Sequence, residues 1–205
     1  MRISIVGTGD MARGIATRAL AGGHDVTVGG TERSKADALA GELGGSAKAA
    51  DSAAGDLVVL AVPYAAAADA LAAHRDSIGD AVVVDITNPV DFSTFEPLLL
   101  DAGSGAQEIA AGAADPSKVV KAFNTTFAGT LVEGEVSGQP LDVFIAGDDD
   151  GAKASVKELV EDGGMRAVDA GPLARARELE ALGYLHMALQ EPLGTSFSST
   201  VKVVA

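Results

Sequence analysis

Cysteine is absent from the 205 residues, which excludes disulfides, thiolate nucleophiles and cysteine-ligated metals. Histidine is scarce, with three copies and no pair at metal-binding spacing. His24 follows Gly22-Gly23 and reads as a turn residue, and His74, late in an alanine-rich run, reads as solvated. His186 could face a bound ring but reads first as a core histidine satisfied by its neighbours. No run of about 18 strongly apolar residues occurs, so no membrane association is expected. The N-terminus shows no charged-then-apolar leader, and a soluble, cytoplasmic protein is expected. Positive charge is scarce too: 15 Lys and Arg stand against 29 Asp and Glu, for a net charge of -14. Such a surface repels phosphates in bulk, so no nucleic-acid partner is expected. Finally, there is no G-x-S-x-G, no G-x-x-x-x-G-K-S/T and no internal repeat.

What is present begins at the first residues. Ile3, Ile5 and Val6 read as a buried strand, Gly7-Thr8-Gly9-Asp10-Met11-Ala12 as a glycine-rich turn, and Met11 to Ala21 as a helix. Gly7 lets the chain leave the strand sharply, and Gly9 leaves bare backbone where a pyrophosphate could approach. Ala12, in the third glycine position, still permits close helix–strand packing. The first amides of the helix, aided by its dipole, then offer an anion site. This strand–turn–helix setting predicts dinucleotide binding. A second strand, His24 to Gly29, ends without an acid to take a ribose hydroxyl. Its tip, Gly30-Thr31-Glu32-Arg33-Ser34-Lys35, supplies a hydroxyl and two cations, which favours a 2′-phosphate and hence NADP over NAD. Glu32 is the discordant residue, and Arg33 and Lys35 read equally as solvated residues opening a helix over 34–43.

Beyond the tip, a short helix is expected at Ala49–Ala54. Asp56 to Pro63 is a continuous apolar run, the mark of a central parallel strand, and Val62, Pro63 and Tyr64 are expected to border the cofactor. A helix over 65–77 and a strand over 81–86 follow, the latter ending in a tip, Thr87-Asn88-Pro89-Val90, that faces the nicotinamide. A helix is expected at Ser104–Ala111, strands at Val119–Asn124, Asp142–Gly147 and Arg166–Asp169, and a long helix from Ala174 to about Leu189. Asp148-Asp149-Asp150 reads as the capped start of a helix rather than a metal site. The apolar tail, Pro192 to Ala205, is expected to dock, either on the chain itself or on a partner subunit. No acid–base constellation stands out. Hydride transfer between two planar heterocycles needs little more than stacking and exclusion of water, which small residues and backbone can provide.

The chain resembles the NADPH-dependent coenzyme F420 reductase family, which also includes the cytosolic domain of the six-transmembrane metalloreductases. The resemblance rests on Gly7-Thr8-Gly9-Asp10-Met11, on Ala61-Val62-Pro63-Tyr64 and on Val119 to Thr125. It rests above all on Gly147-Asp148-Asp149-Asp150 with Asp169-Ala170-Gly171-Pro172-Leu173. It implies cofactor contacts from Thr8, Gly30, Thr31, Lys35, Val62, Pro63, Asn88 and Ala128, to which the reading of the glycine-rich turn and of the second strand's tip adds Gly9, Asp10, Met11 and Arg33, and it implies acceptor contacts from Pro89, Asn124 and Gly194. Two departures are visible: Gly30-Thr31 replaces the family's Ser-Arg, and Asn124 stands where archaeal-type reductases carry His, whereas the metalloreductase branch has Phe-Asn as here. The expectation is an α/β protein with a doubly wound parallel Rossmann sheet: an NADP-binding domain over 1–130 and a small C-terminal extension over 131–205 completing the acceptor site. The expected activity is hydride transfer between NADP(H) and coenzyme F420 without side-chain catalysis, in a homodimer binding small-molecule cofactors only. A flavin (FAD or FMN) as acceptor, or a non-catalytic NADP-binding redox sensor, stays open.

Overall fold

The computed structural model describes residues 1–91 and 93–204. In chain order the elements are β1 (Arg2–Val6), α1 (Asp10–Ala21), β2 (Asp25–Gly29), α2 (Arg33–Glu42), β3 (Lys48–Ala49), β4 (Leu57–Leu60), α3 (Tyr64–Ile78), β5 (Val82–Asp85), a small hairpin of β6 (Val90–Asp91) and β7 (Glu96–Pro97), and α4 (Gly105–Gly112). Then come β8 (Val119–Lys121), α5 (Ala128–Glu133), a second hairpin of β9 (Glu135–Val136) and β10 (Gln139–Pro140), β11 (Asp142–Gly147), α6 (Asp150–Asp162), β12 (Arg166–Gly171), α7 (Ala176–Ala188) and α8 (Gln190–Leu193).

The principal sheet has eight strands in the order β12-β11-β8-β5-β4-β1-β2-β3. From β3 to β8 every pairing is parallel, and the order reverses beside β1, giving the doubly wound Rossmann arrangement. β11 then adds antiparallel to β8, and β12 runs parallel to β11. Every residue of β4, β5 and β11 is buried, because helices cover both faces and leave no strand face for water. Ile15, Leu39 and Val156 of α1, α2 and α6 pack on one face against Ile5, Val28, Val59 and Val143. Leu71 and Ile109 of α3 and α4 pack on the other against Val58, Leu60 and Val83.

The expected helix at Ala49–Ala54 does not form. Lys48–Ala49 pair in parallel with Thr27–Val28, and the Ala50 amide donates to the Val28 carbonyl at 2.9 Å, so sheet bonding at the edge overrides the helix propensity of alanine. The strand expected over Val119–Asn124 ends at Lys121, since Phe123 turns the chain with φ of 62°. The long final helix is divided. A 3-10 turn at Leu173–Arg175, held by the Leu173 amide on Asp148 Oδ1 at 2.9 Å, precedes α7, and α8 follows it. Asp149 caps α6 by accepting from the Ala152 amide at 2.6 Å, as read for that run of acids.

Two charged clusters fix the C-terminal half. Lys121 has no exposed surface. Its ammonium donates to Asp85 Oδ2 and Glu180 Oε1, each at 2.8 Å, and to the Thr87 carbonyl, so all three of its donors are used. Asp85 Oδ1 accepts from the Thr87 amide at 2.9 Å, and Glu180 accepts from the Gly105 and Ala106 amides at 3.2 and 3.3 Å. One lysine thereby ties β5, β8, the start of α4 and α7 into a single knot. The second cluster holds the tail on the chain itself. Buried Asp142 accepts from Arg166 Nε at 2.8 Å, Lys202 Nζ at 3.0 Å and the Val203 amide at 2.9 Å. The final residue of the expected docking segment, Ala205, lies outside the described residues.

Lys121→Met leaves two buried carboxylates without their cation and is expected to lower stability by about 3–5 kcal/mol in urea unfolding, with Lys121→Met/Glu180→Gln losing less than the sum of the single changes. Burial alone would raise the pKa of Asp142, but the bonds from Arg166, Val203 and Lys202 outweigh it and bring the value down to about 2 from the ordinary 3.8. A depressed carboxylate stabilises the fold at pH above its unfolded value, so this contribution, about 2 kcal/mol, is present above about pH 4 and lost as pH falls through about 2. Unfolding measured across that window should show the loss in the native protein and most of it missing in Asp142→Asn.

Candidate functional site

At the carboxyl edge of the parallel strands, the turn after β1 opens α1. Gly7 has φ of 139°, and a β-carbon there would lie 2.0 Å from the Ala61 carbonyl oxygen. Only glycine lets the turn pass this close to β4. Gly9 precedes α1 with open space where its β-carbon would be. No side chain caps the helix, leaving its first amides free for an anion. The Rossmann fold implies a dinucleotide, and an uncapped first turn beside bare backbone fits the pyrophosphate of one.

A cleft of ≈ 610 Å³ extends from this turn along the ends of β4, β5 and β8. Of the residues singled out in the sequence, Gly9, Asp10, Met11, Val62, Pro63, Asn88, Asn124 and Ala128 line it. Thr8 and Gly30 meet at one side of the turn, where a β-carbon on Gly30 would come within 3.3 Å of Thr8 Cγ2. Thr31, Arg33 and Lys35 are exposed at the tip of β2. Two residues expected to touch an acceptor do not reach the cleft wall. Pro89 is buried under the first turn of α4, its Cγ 2.8 Å from where a Gly105 β-carbon would sit, and Gly194 ends α8 in a left-handed conformation with φ of 64°.

Asn88 and Asn124 face each other across the strand ends. Asn88 Nδ2 donates to the Asn124 carbonyl at 2.8 Å, and Asn124 Nδ2 donates to Asn88 Oδ1 at 3.0 Å and to the Leu179 carbonyl at 2.8 Å. Thr87, whose carbonyl is gripped by Lys121, shares the same wall. The far wall is aromatic: Phe127 and Phe197 meet edge to face at 5.0 Å between centroids, and Phe95 meets Phe197 at 6.5 Å. Behind Phe127, at 4.3 Å, lies His186. Its Nδ1 is 3.2 Å from the Thr125 carbonyl and its Nε2 is 2.8 Å from Ser199 Oγ. Burial pushes its pKa down, so it stays neutral, donating from Nδ1 and accepting at Nε2. It is therefore a core histidine with both nitrogens satisfied.

Tyr64 donates to Glu108, and burial, together with that carboxylate, pushes its pKa up to about 12. Among the described residues lining the cleft there is no Lys, Arg or His, and Asp10 and Tyr64 are the ionisable ones. The cleft can hold flat, weakly polar rings and shield them from water, but it offers no acid–base pair for alcohol or imine chemistry. The sequence reading missed Phe95, Phe127, Phe197 and Met187 as walls, and Lys121, Asp85 and Glu180 as the support behind them. The last three were legible only as strand and helix residues, because their partners lie 36 and 59 positions away in the chain.

Comparison with known proteins agrees with this geometry. A family profile described as NADP oxidoreductase, coenzyme F420-dependent, matches residues 2–89. The F420-dependent NADP reductase of Methanothermobacter thermautotrophicus is 31% identical over 202 residues, covering 89% of this chain and 86% of its own. The metalloreductase STEAP3 of Rattus norvegicus is 29% identical over 181 residues, covering 88% of this chain but 36% of its own. A solved structure from Arthrobacter sp. FB24, assigned as an F420-dependent NADP reductase, superposes with a TM-score of 0.83 at 29% identity over 99% of both chains. With fold, turn and near full-length similarity in agreement, the chain belongs to the coenzyme F420-dependent NADP oxidoreductase family.

Proposed function

We propose that this protein transfers a hydride, in either direction, between NADP(H) and the deazaflavin coenzyme F420. The observation that carries the reading is the continuity of one cleft, from the uncapped first turn of α1 to an aromatic-walled end, with no acid–base pair along it. NADP supplies the hydride-carrying nicotinamide when bound. The amides around Thr8, Gly9, Asp10 and Met11 hold the pyrophosphate, and Gly30, Thr31, Arg33 and Lys35 receive the 2′-phosphate. Val62, Pro63, Asn88 and Ala128 flank the nicotinamide. Asn124 holds the acceptor ring, with Pro89 beneath the β5 tip and Gly194 in the loop that brings Phe197 to the wall. These residues align two flat rings and keep water out, which is what direct transfer requires. No proton is moved by a side chain in the hydride step.

The setting is proposed to be the cytoplasm, with small-molecule cofactors and no nucleic acid; among the described residues no helix is long and apolar enough to cross a membrane. A homodimer is proposed from the row Leu185, Leu189 and Leu193, which are 58%, 38% and 63% exposed on consecutive turns of α7 and α8. An apolar stripe of this kind is characteristic of a surface covered by another chain.

NADPH-dependent bleaching of oxidised F420, followed at its visible absorbance, is the direct test. Turnover of F420 supports the reading, whereas turnover of FAD or FMN alone would reassign the acceptor. Tight NADPH binding with no turnover of either would make the protein a sensor. For assembly, sedimentation equilibrium should give a dimer that Leu189→Asp/Leu193→Asp converts to monomer; a monomeric native protein at micromolar concentration would remove the dimer.

A further inference from the structure

The cations at the tip of β2 are already occupied. Arg33 Nε donates to Asp37 Oδ1 at 3.0 Å, and Arg33 Nη1 donates to Asp51 Oδ2 at 3.0 Å. Lys35 Nζ donates to Glu32 Oε1 at 2.6 Å. Asp37 lies one turn on in α2, but Asp51 comes from a separate segment. The parallel pairing of β3 with β2 and the bond from the Ala50 amide to the Val28 carbonyl carry it to the strand end beside Gly29 and Gly30. Three carboxylates thus face two cations at the place where the fold presents the adenosine ribose. At the same time no side chain caps α2: Glu32 occupies the N-cap position, yet its carboxylate is turned to Lys35, and the first turn holds no acid. The helix end is open to an anion while its two cations are engaged by the chain's own acids.

We propose that Asp51 is a specificity-determining residue: it competes with the nucleotide 2′-phosphate for Arg33, so that the preference for NADP over NAD is set by this carboxylate as well as by the cations. This rests on the nucleotide-binding reading above. A phosphate is a bidentate partner for a guanidinium and carries more charge than a carboxylate. It displaces Asp51, which is 78% exposed and held by an interaction that water and salt weaken. An unphosphorylated ribose meets no such competition. The preference is therefore narrower than two cations and a helix end would give unopposed.

The test is equilibrium binding of NADPH and NADH to the native protein, Asp51→Asn, Arg33→Ala and the double variant, with 2′,5′-ADP and 5′-AMP as adenosine-end probes. Asp51→Asn should raise the NADPH-to-NADH affinity ratio by about threefold to tenfold at low salt, less at physiological salt, and leave NADH affinity within about twofold. In the Arg33→Ala background the same substitution should change the ratio by less than about twofold, because the contested cation is gone. Melting temperatures should not move, since the side chains are exposed. An unchanged ratio in Asp51→Asn, an equal gain for both nucleotides, or the same gain without Arg33 would overturn the proposal. Native protein that binds neither nucleotide would instead overturn the nucleotide-binding reading itself.

Discussion

An ammonium group sealed from water between two carboxylates is the constraint on which the rest of the cleft depends. A buried charge is tolerated only when every hydrogen-bonding position around it is filled, and Lys121 meets that condition by drawing on β5, the tip after it and α7 at once. Replacing such a cluster with well-packed apolar residues could equal its stability, so its value is geometric. The Thr87 carbonyl cannot shift without unpairing Lys121, which fixes the β5 tip that presents Asn88. Glu180 cannot move without exposing the first amides of α4, which fixes α7 against the same tip. The excess negative charge of the knot is met by the positive end of the α4 dipole.

The opposite wall is held differently. Phe95 and Phe197 adopt φ of 57° and 60°, a conformation that bulky residues seldom occupy and that costs on the order of 1–3 kcal/mol each. Around Phe197 the chain is held by hydrogen bonds. Its amide donates to Gln190 Oε1 at 3.1 Å, Ser199 is held by His186 and Gln190, and the segment beyond is tied to Asp142. A tail anchored at both ends thus presses an aromatic ring toward the cleft. Remote Asp142 thereby belongs to the architecture of the site, although it lies at the start of β11 rather than at the cleft.

How much of this was legible in the sequence follows from the range of each interaction. The β1–α1 turn is local, and its glycines state their purpose through sterics, so a strand–turn–helix corner with free amides could be read from Gly7 to Ala12. β4 and β5 announced themselves by continuous apolar runs. The failures have the opposite character. Ala49–Ala54 looked helical because alanine favours helix, and only the neighbouring strand overrides that. Lys121 looked like an ordinary strand residue, for its meaning lies in Asp85 and Glu180. The phenylalanines of the far wall come from the β6–β7 hairpin, the start of α5 and the tail, with no pattern linking them along the chain. Family resemblance supplied chemistry that spacing alone did not, and of the acceptor contacts it implied, Asn124 lines the cleft while Pro89 and Gly194 lie outside its lining.

A chain with a net charge of -14 that is built to hold a polyanion must separate its local fields from its global one. It does so with backbone rather than side chains: the turn of α1 offers amides that no side chain caps, and among the described residues Asp10 is the one carboxylate that borders the cleft. At the β2 tip the separation is incomplete, since each cation has acquired acidic neighbours. Main-chain donors are insensitive to the charge balance of the surface, whereas ion pairs at an exposed tip are governed by it and by salt. A pyrophosphate held at the α1 turn and a 2′-phosphate held at the β2 tip would therefore answer to different physics, and an increasingly acidic surface would erode the second while leaving the first intact.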